Sequence, residues 1–112
     1  PWHDWQWMLE RSPLFYVEKA KTPLLIMHGE LDTRVHPSQA MELYRALKML
    51  GEAPVRLVIY PREGHGFSRN AAKLDYSIRL MRWMDAFLLS KNKQTPIHFL
   101  EHAPYMQQKE PK

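Results

Sequence analysis

The stretch Thr22-Pro23-Leu24-Leu25-Ile26-Met27-His28-Gly29-Glu30-Leu31-Asp32-Thr33-Arg34-Val35 decides the fold, together with Pro54-Val55-Arg56-Leu57-Val58-Ile59-Tyr60-Pro61-Arg62-Glu63-Gly64-His65-Gly66-Phe67. Leu24 to Met27 is a short, unbroken apolar run bounded by proline and glycine, the pattern of a strand covered on both faces. Val55 to Tyr60 is rich in branched side chains and flanked by prolines, a second strand. Gly29 ends the first run, where a side chain would obstruct a close approach or an unusual backbone angle.

Between the two runs, Pro37 to Leu50 reads as a helix. Proline suits its first turn, His36 or Ser38 stands near the cap, and Ala40, Leu43, Tyr44, Leu47 and Leu50 share one face. Lys48 suits the negative end, and Gly51 stands where a left-handed residue is expected to close the helix. Strand, helix and strand make a βαβ unit, which crosses over right-handed with parallel strands. The two polar loops then leave the same edge of the sheet, where open α/β sheets carry their sites. The expected fold class is therefore α/β.

Outside this unit the pattern is looser. Residues 1 to 10 hold Trp2, Trp5 and Trp7, read as packing groups. Ser12-Pro13 suggests a short helix capped by Ser12 and docked through Leu14, Phe15 and Val17. Lys73 to Ser90 reads as a helix with a stripe of Leu74, Ile78, Met81, Met84 or Asp85, and Leu88, widened by Leu80, Trp83 and Phe87. Met41, Met49, Met81 and Met84 read as flexible core filling. Residues 91–112 carry Pro96, Pro104 and Pro111 without periodicity and read as an irregular tail beyond residues 1–90.

The chain has 112 residues, 45% hydrophobic and 25% charged, which fits one small globular domain. No run approaches the ~20 apolar residues of a membrane span. Without cysteine there is no disulfide or thiol chemistry, and the compartment is left open. The net charge of +4 is spread along the chain rather than clustered with aromatic side chains, so no nucleic-acid partner is expected. His28 and His36 lack a compact ligand spacing with other donors; His28 reads as a packed strand end, and neither a metal nor another cofactor is expected.

Asp32 and His65 carry the chemistry. Taken singly, each has a plainer reading: a loop aspartate bonding its own backbone, and a solvent-exposed loop histidine. Set after neighbouring parallel strands, they suit the acid and base of a serine hydrolase, in which a buried carboxylate orients an imidazole that shuttles the nucleophile's proton. Gly64 and Gly66 bracket His65 and are expected to let the loop turn sharply.

From about Trp5 to Leu89 the chain resembles the C-terminal part of the prolyl oligopeptidase family. The turn H-G-x-x-D-x-R-V over residues 28–35 and the turn E-G-H-G over residues 63–66, with Leu-Tyr-Arg-Ala-Leu-Lys between them, carry the likeness. The resemblance implies an α/β-hydrolase catalytic domain, here incomplete: the βαβ unit and the C-terminal helix. It implies a serine peptidase acting on short peptides through an acyl-enzyme, with Asp32 as triad acid and His65 as triad base. It also implies that Arg34 binds a substrate carbonyl; otherwise Arg34 is a surface arginine pairing Glu30 or Glu63. The nucleophile belongs in G-x-S-x-G on a strand-to-helix elbow. None of Ser12, Ser38, Ser68, Ser77 and Ser90 has those flanking glycines, so the serine, the oxyanion donors and a propeller domain are expected upstream.

Other readings are an esterase of the same fold and a non-catalytic binding or scaffold fragment. The chain opens without methionine inside a tryptophan-rich stretch, so a segment of something longer is expected. Isolated, it should be marginally stable or self-associate, because a cut sheet exposes an edge.

Overall fold

The computed structural model describes residues 4–98. They form two compact units, one ending at Arg69 and the other beginning at Asn70.

The first unit is built on the expected βαβ arrangement. Strand β1 spans Leu24–Gly29 and strand β2 spans Val55–Tyr60. They pair in parallel, in register from Leu24 opposite Val55 to Gly29 opposite Tyr60. The crossover helix, Pro37–Leu50, has the bounds read from the sequence. Its cap is His36, whose Nδ1 accepts the Ser38 N–H at 3.1 Å. The helix buries Pro37, Ala40 and Leu47, while Leu43 and Tyr44 are half-buried and Leu50 is exposed. Val17, Leu47 and Val55 form a small core, with Ile26, Leu43, Tyr44, Ala20 and Ala46 packed against it.

Gly51 is not left-handed. Its backbone is extended, with φ −89° and ψ 159°. A Cβ there would stand 2.8 Å from the Leu47 carbonyl oxygen and 3.3 Å from that of Val17, so the tight passage accounts for the glycine.

β1 is less covered than its composition suggests: Leu24 is exposed, and Leu25 to His28 are half-buried. Among the described residues the sheet has two strands, so each has a strand neighbour along one edge only.

Before β1 come a helix at Trp5–Glu10 and a 3-10 helix at Pro13–Lys19. Ser12 occupies the cap position of the 3-10 helix without a side-chain capping bond. Of the three expected docking residues only Val17 is buried; Leu14 and Phe15 are exposed. Trp5 and Trp7 are exposed too, with the Arg11 guanidinium 4.2 Å from the Trp7 ring centroid. Trp2 lies outside the described residues.

In the second unit, the helix Asn70–Met84 runs into a π-helical turn, Asp85–Leu89, closed by the Ser90 N–H on the Asp85 carbonyl. Ile78 and Trp83 are buried, whereas Met81, Met84 and Leu88 are exposed. The covered stripe is thus rotated from the expected one, toward the line on which Trp83 meets Phe87 at 4.8 Å and Asp75 pairs with Arg79 at 2.7 Å. Met49 is 81% exposed, so with Met81 and Met84 it fills no core. Residues 91–97 hold no regular element, and the rest of the predicted tail beyond His98 lies outside the described residues. Among the described residues no helix is long and apolar enough to cross a membrane.

Candidate active site

The site is assembled where the two parallel strands end. The Tyr60 carbonyl accepts the Glu30 N–H at 2.9 Å, continuing the ladder one residue past β1. The Glu63 carbonyl then accepts the Leu31 N–H at 2.9 Å, which fastens the second loop to the first. Gly29 permits this seam: a Cβ there would stand 2.2 Å from the Gly64 carbonyl oxygen and 2.4 Å from that of Glu63. Gly64 and Gly66 have no such constraint, because a Cβ on either meets nothing within 4 Å and neither has a positive φ. The left-handed residue of this turn is Arg62, with φ 61°.

Asp32 is buried, and it combines both readings made from the sequence. Its Oδ1 accepts the backbone N–H groups of Arg34 and Val35, each at 2.9 Å, and its Oδ2 accepts from His65 Nδ1 at 2.9 Å. These bonds hold its carboxyl at about 2, well below the usual 3.8; the Val35 N–H acts most strongly, burial opposes it, and His65 and Arg34 add to it. Asp32 is therefore an anion at neutral pH, and the proton in its contact with His65 sits on Nδ1. The neutral imidazole then has an unprotonated Nε2, and the His65 side chain is 52% exposed. An anion-backed imidazole with an accessible basic nitrogen can take a proton from a hydroxyl and return it to a leaving group.

Arg34 is exposed, its backbone held by Asp32. The predicted pairing with Glu30 or Glu63 is not formed. Glu63 is instead turned inward and occupied by other donors.

Residues 1–91 match the model of the prolyl oligopeptidase family. The chain belongs to that family. Over 84 residues, 75% of this chain and 11% of the relative, it is 42% identical to the acylamino-acid-releasing enzyme of Rattus norvegicus. It is 38% identical over 77 residues to dipeptidyl-peptidase 5 of Porphyromonas gingivalis, covering 69% of this chain and 11% of that protein. It is 41% identical over 64 residues to dipeptidyl aminopeptidase BIII of Pseudoxanthomonas mexicana, covering 57% of this chain and 9% of that protein. The chain thus spans about a tenth of the length of the curated relatives it matches.

Within this segment of the prolyl oligopeptidase family, two residues matter that the sequence reading passed over. His28 is more than a packed strand end. Its Nε2–H donates to the Val35 carbonyl at 2.7 Å and lies 3.4 Å from Asp32 Oδ2, so it ties the end of β1 across the Asp32 loop. Glu63 is the most buried large side chain described, at 1% exposure. Its Oε2 accepts the Ser68 N–H at 2.8 Å and its Oε1 the Arg69 N–H at 3.1 Å, with the Arg69 Nε 3.9 Å away. The Ser68 N–H chiefly holds its carboxyl below the usual range, against the opposing effect of burial. An acidic residue two positions before a glycine-bracketed histidine, with serine five positions after it, was the signal available.

Proposed function

We propose that this segment supplies the acid and base of a serine peptidase, as part of an α/β-hydrolase catalytic domain. The observation that carries the reading is the 2.9 Å contact between Asp32 Oδ2 and His65 Nδ1, on an imidazole whose side chain is half-exposed. In this reading Nε2 of His65 takes the proton of a serine hydroxyl as the hydroxyl oxygen attacks a peptide carbonyl. Asp32 stabilises the imidazolium without itself becoming protonated. The proton then passes from Nε2 to the departing amine, leaving an acyl-serine, and a water repeats the sequence to release the acid. No cofactor takes part.

The serine comes from elsewhere in a longer protein, since no G-x-S-x-G is present in these 112 residues. The oxyanion donors come from the same source. Arg34, exposed and two residues past the triad acid, receives a backbone carbonyl of the peptide. The names of the relatives, which release acylated amino acids or dipeptides, support short peptides as the substrate class.

The test is made in the parent protein that carries this segment. His65→Ala and Asp32→Asn should each lower kcat on a chromogenic peptide by several orders of magnitude, as loss of a triad member does. The 112-residue chain alone should neither turn over peptide nor react with a serine-directed fluorophosphonate. A parent that keeps wild-type turnover as His65→Ala would overturn the reading.

A further inference from the structure

Glu63 has no part in the proton transfers described above, yet it is the most deeply buried large side chain described and it is an anion. Burying a carboxylate is costly unless donors replace its water, and here they do. The identity of those donors is informative. Ser68 and Arg69 lie on the far leg of the His65 loop, and their N–H groups point back onto the carboxylate at 2.8 and 3.1 Å. The same residue's carbonyl takes the Leu31 N–H, on the loop that carries Asp32, at 2.9 Å. One residue therefore grips both legs of the histidine loop and the neighbouring aspartate loop. Phe67, packed on Tyr60 at 4.6 Å between ring centroids, closes the same loop from its apolar side.

We infer that Glu63 is a positioning residue for the acid–base pair: its buried carboxylate clasps the loop from Gly64 to Arg69 so that His65 Nδ1 is delivered to Asp32 Oδ2. This rests on the reading of Asp32 and His65 as triad acid and base. The histidine side chain itself is half-exposed and has no hydrogen-bond partner other than Asp32 among the described residues, so its aim depends on where its backbone is held. The charged and titratable groups facing this assembly are His28, 3.4 Å from Asp32, and Arg69, 3.9 Å from Glu63. Neither replaces the two backbone bonds. Glu63→Gln keeps the shape but turns one acceptor into a donor facing an N–H, which releases one leg of the loop.

The experiment uses the parent protein, assayed on a chromogenic peptide, with active sites counted by fluorophosphonate titration and folding followed by thermal melting. Glu63→Gln should lower kcat per titrated site by about a hundred-fold, the scale of a reacting group misplaced by an ångström, with KM close to wild type. Glu63→Asp, which keeps the charge but withdraws it by one methylene, should also lower kcat at constant KM, and it decides the matter if the glutamine variant does not fold. The inference is overturned if the folded Glu63 variants keep wild-type kcat per titrated site, so that any lost activity follows from fewer folded molecules alone. If instead His65→Ala itself retains turnover, the triad reading has failed, and that result is distinct from any Glu63 outcome.

Discussion

Gly29 and Gly64 meet backbone to backbone: a Cβ on Gly29 would stand 2.2 Å from the Gly64 carbonyl oxygen. The obstruction is main chain on both sides, so no side-chain rotation relieves it. Gly29→Ala should destabilise the fold by about 1–3 kcal/mol or more, the usual range for overpacking, and should lower activity by parting the two loops. Gly64→Ala places its methyl in open space and should change stability by less than about 0.5 kcal/mol. Urea melts of the two variants, side by side, check this ordering; equal effects would refute it.

Acid should loosen the site before it unfolds the rest. The Asp32 carboxyl is lowered from 3.8 to about 2, so its stabilising contribution is complete above 3.8 and is lost as pH falls from there toward 2. Glu63, lowered as well, adds to the loss in the same direction. In acid-dependent melts, Asp32→Asn should lower stability at neutral pH and show a flatter curve below 3.8. Parallel curves for wild type and variant would contradict the bonding described for Asp32.

His28 offers a test of the strap across the Asp32 loop. His28→Ala removes the donor to the Val35 carbonyl and should cost about 1 kcal/mol, as a typical hydrogen bond does. Turnover in the parent should fall modestly, and far less than with His65→Ala. A His28→Ala variant as inactive as His65→Ala would give His28 a direct chemical role instead.

Arg34 separates peptide from ester chemistry. Its backbone is anchored by Asp32 while its side chain is exposed, so Arg34→Ala should leave the loop intact. Peptide turnover should drop, chiefly through KM, while an activated ester with no backbone carbonyl to bind should be hydrolysed at nearly the wild-type rate. An equal loss on both substrates would remove the substrate-binding role.

Leu47 is the test of the small core. It is buried with Val17 and Val55, and Leu47→Ala should cost about 2–5 kcal/mol. For a unit of this size that is a large part of the total, and a denaturant melt reads it directly.

The order of strand, helix and strand was legible because each element carries its own local signature: a continuous apolar run, a 3.6-residue stripe, and proline and glycine at the joints. The meeting of Asp32 and His65 followed from that order alone, since parallel neighbours bring their exit loops to one edge. Exposure was not legible in the same way. Trp5, Trp7, Met49 and Met81 have the composition of packing groups, but composition does not say what lies opposite. The stripe of the helix Asn70–Met84 was displaced because periodicity gives the width of an apolar face, and Trp83 shifts its centre. Glu63 was missed because bonds from a carboxylate to backbone N–H groups leave no periodic trace. The loop does bend at His65 and Gly66, but without a positive φ at either flanking glycine; the left-handed residue is Arg62, in the preceding turn.

The parallel register, with Gly29 opposite Tyr60, has a corollary for how such a chain can vary. The span from carboxylate to imidazole is set by one inter-strand spacing and the seam beside it, not by the length of the connection. Whole turns could be added to or removed from the Leu50 end of the crossover helix, away from the Asp32 loop, without moving either group. Sequence drift at that far end is insulated from the proton path, whereas a one-residue slip between the strands would break it.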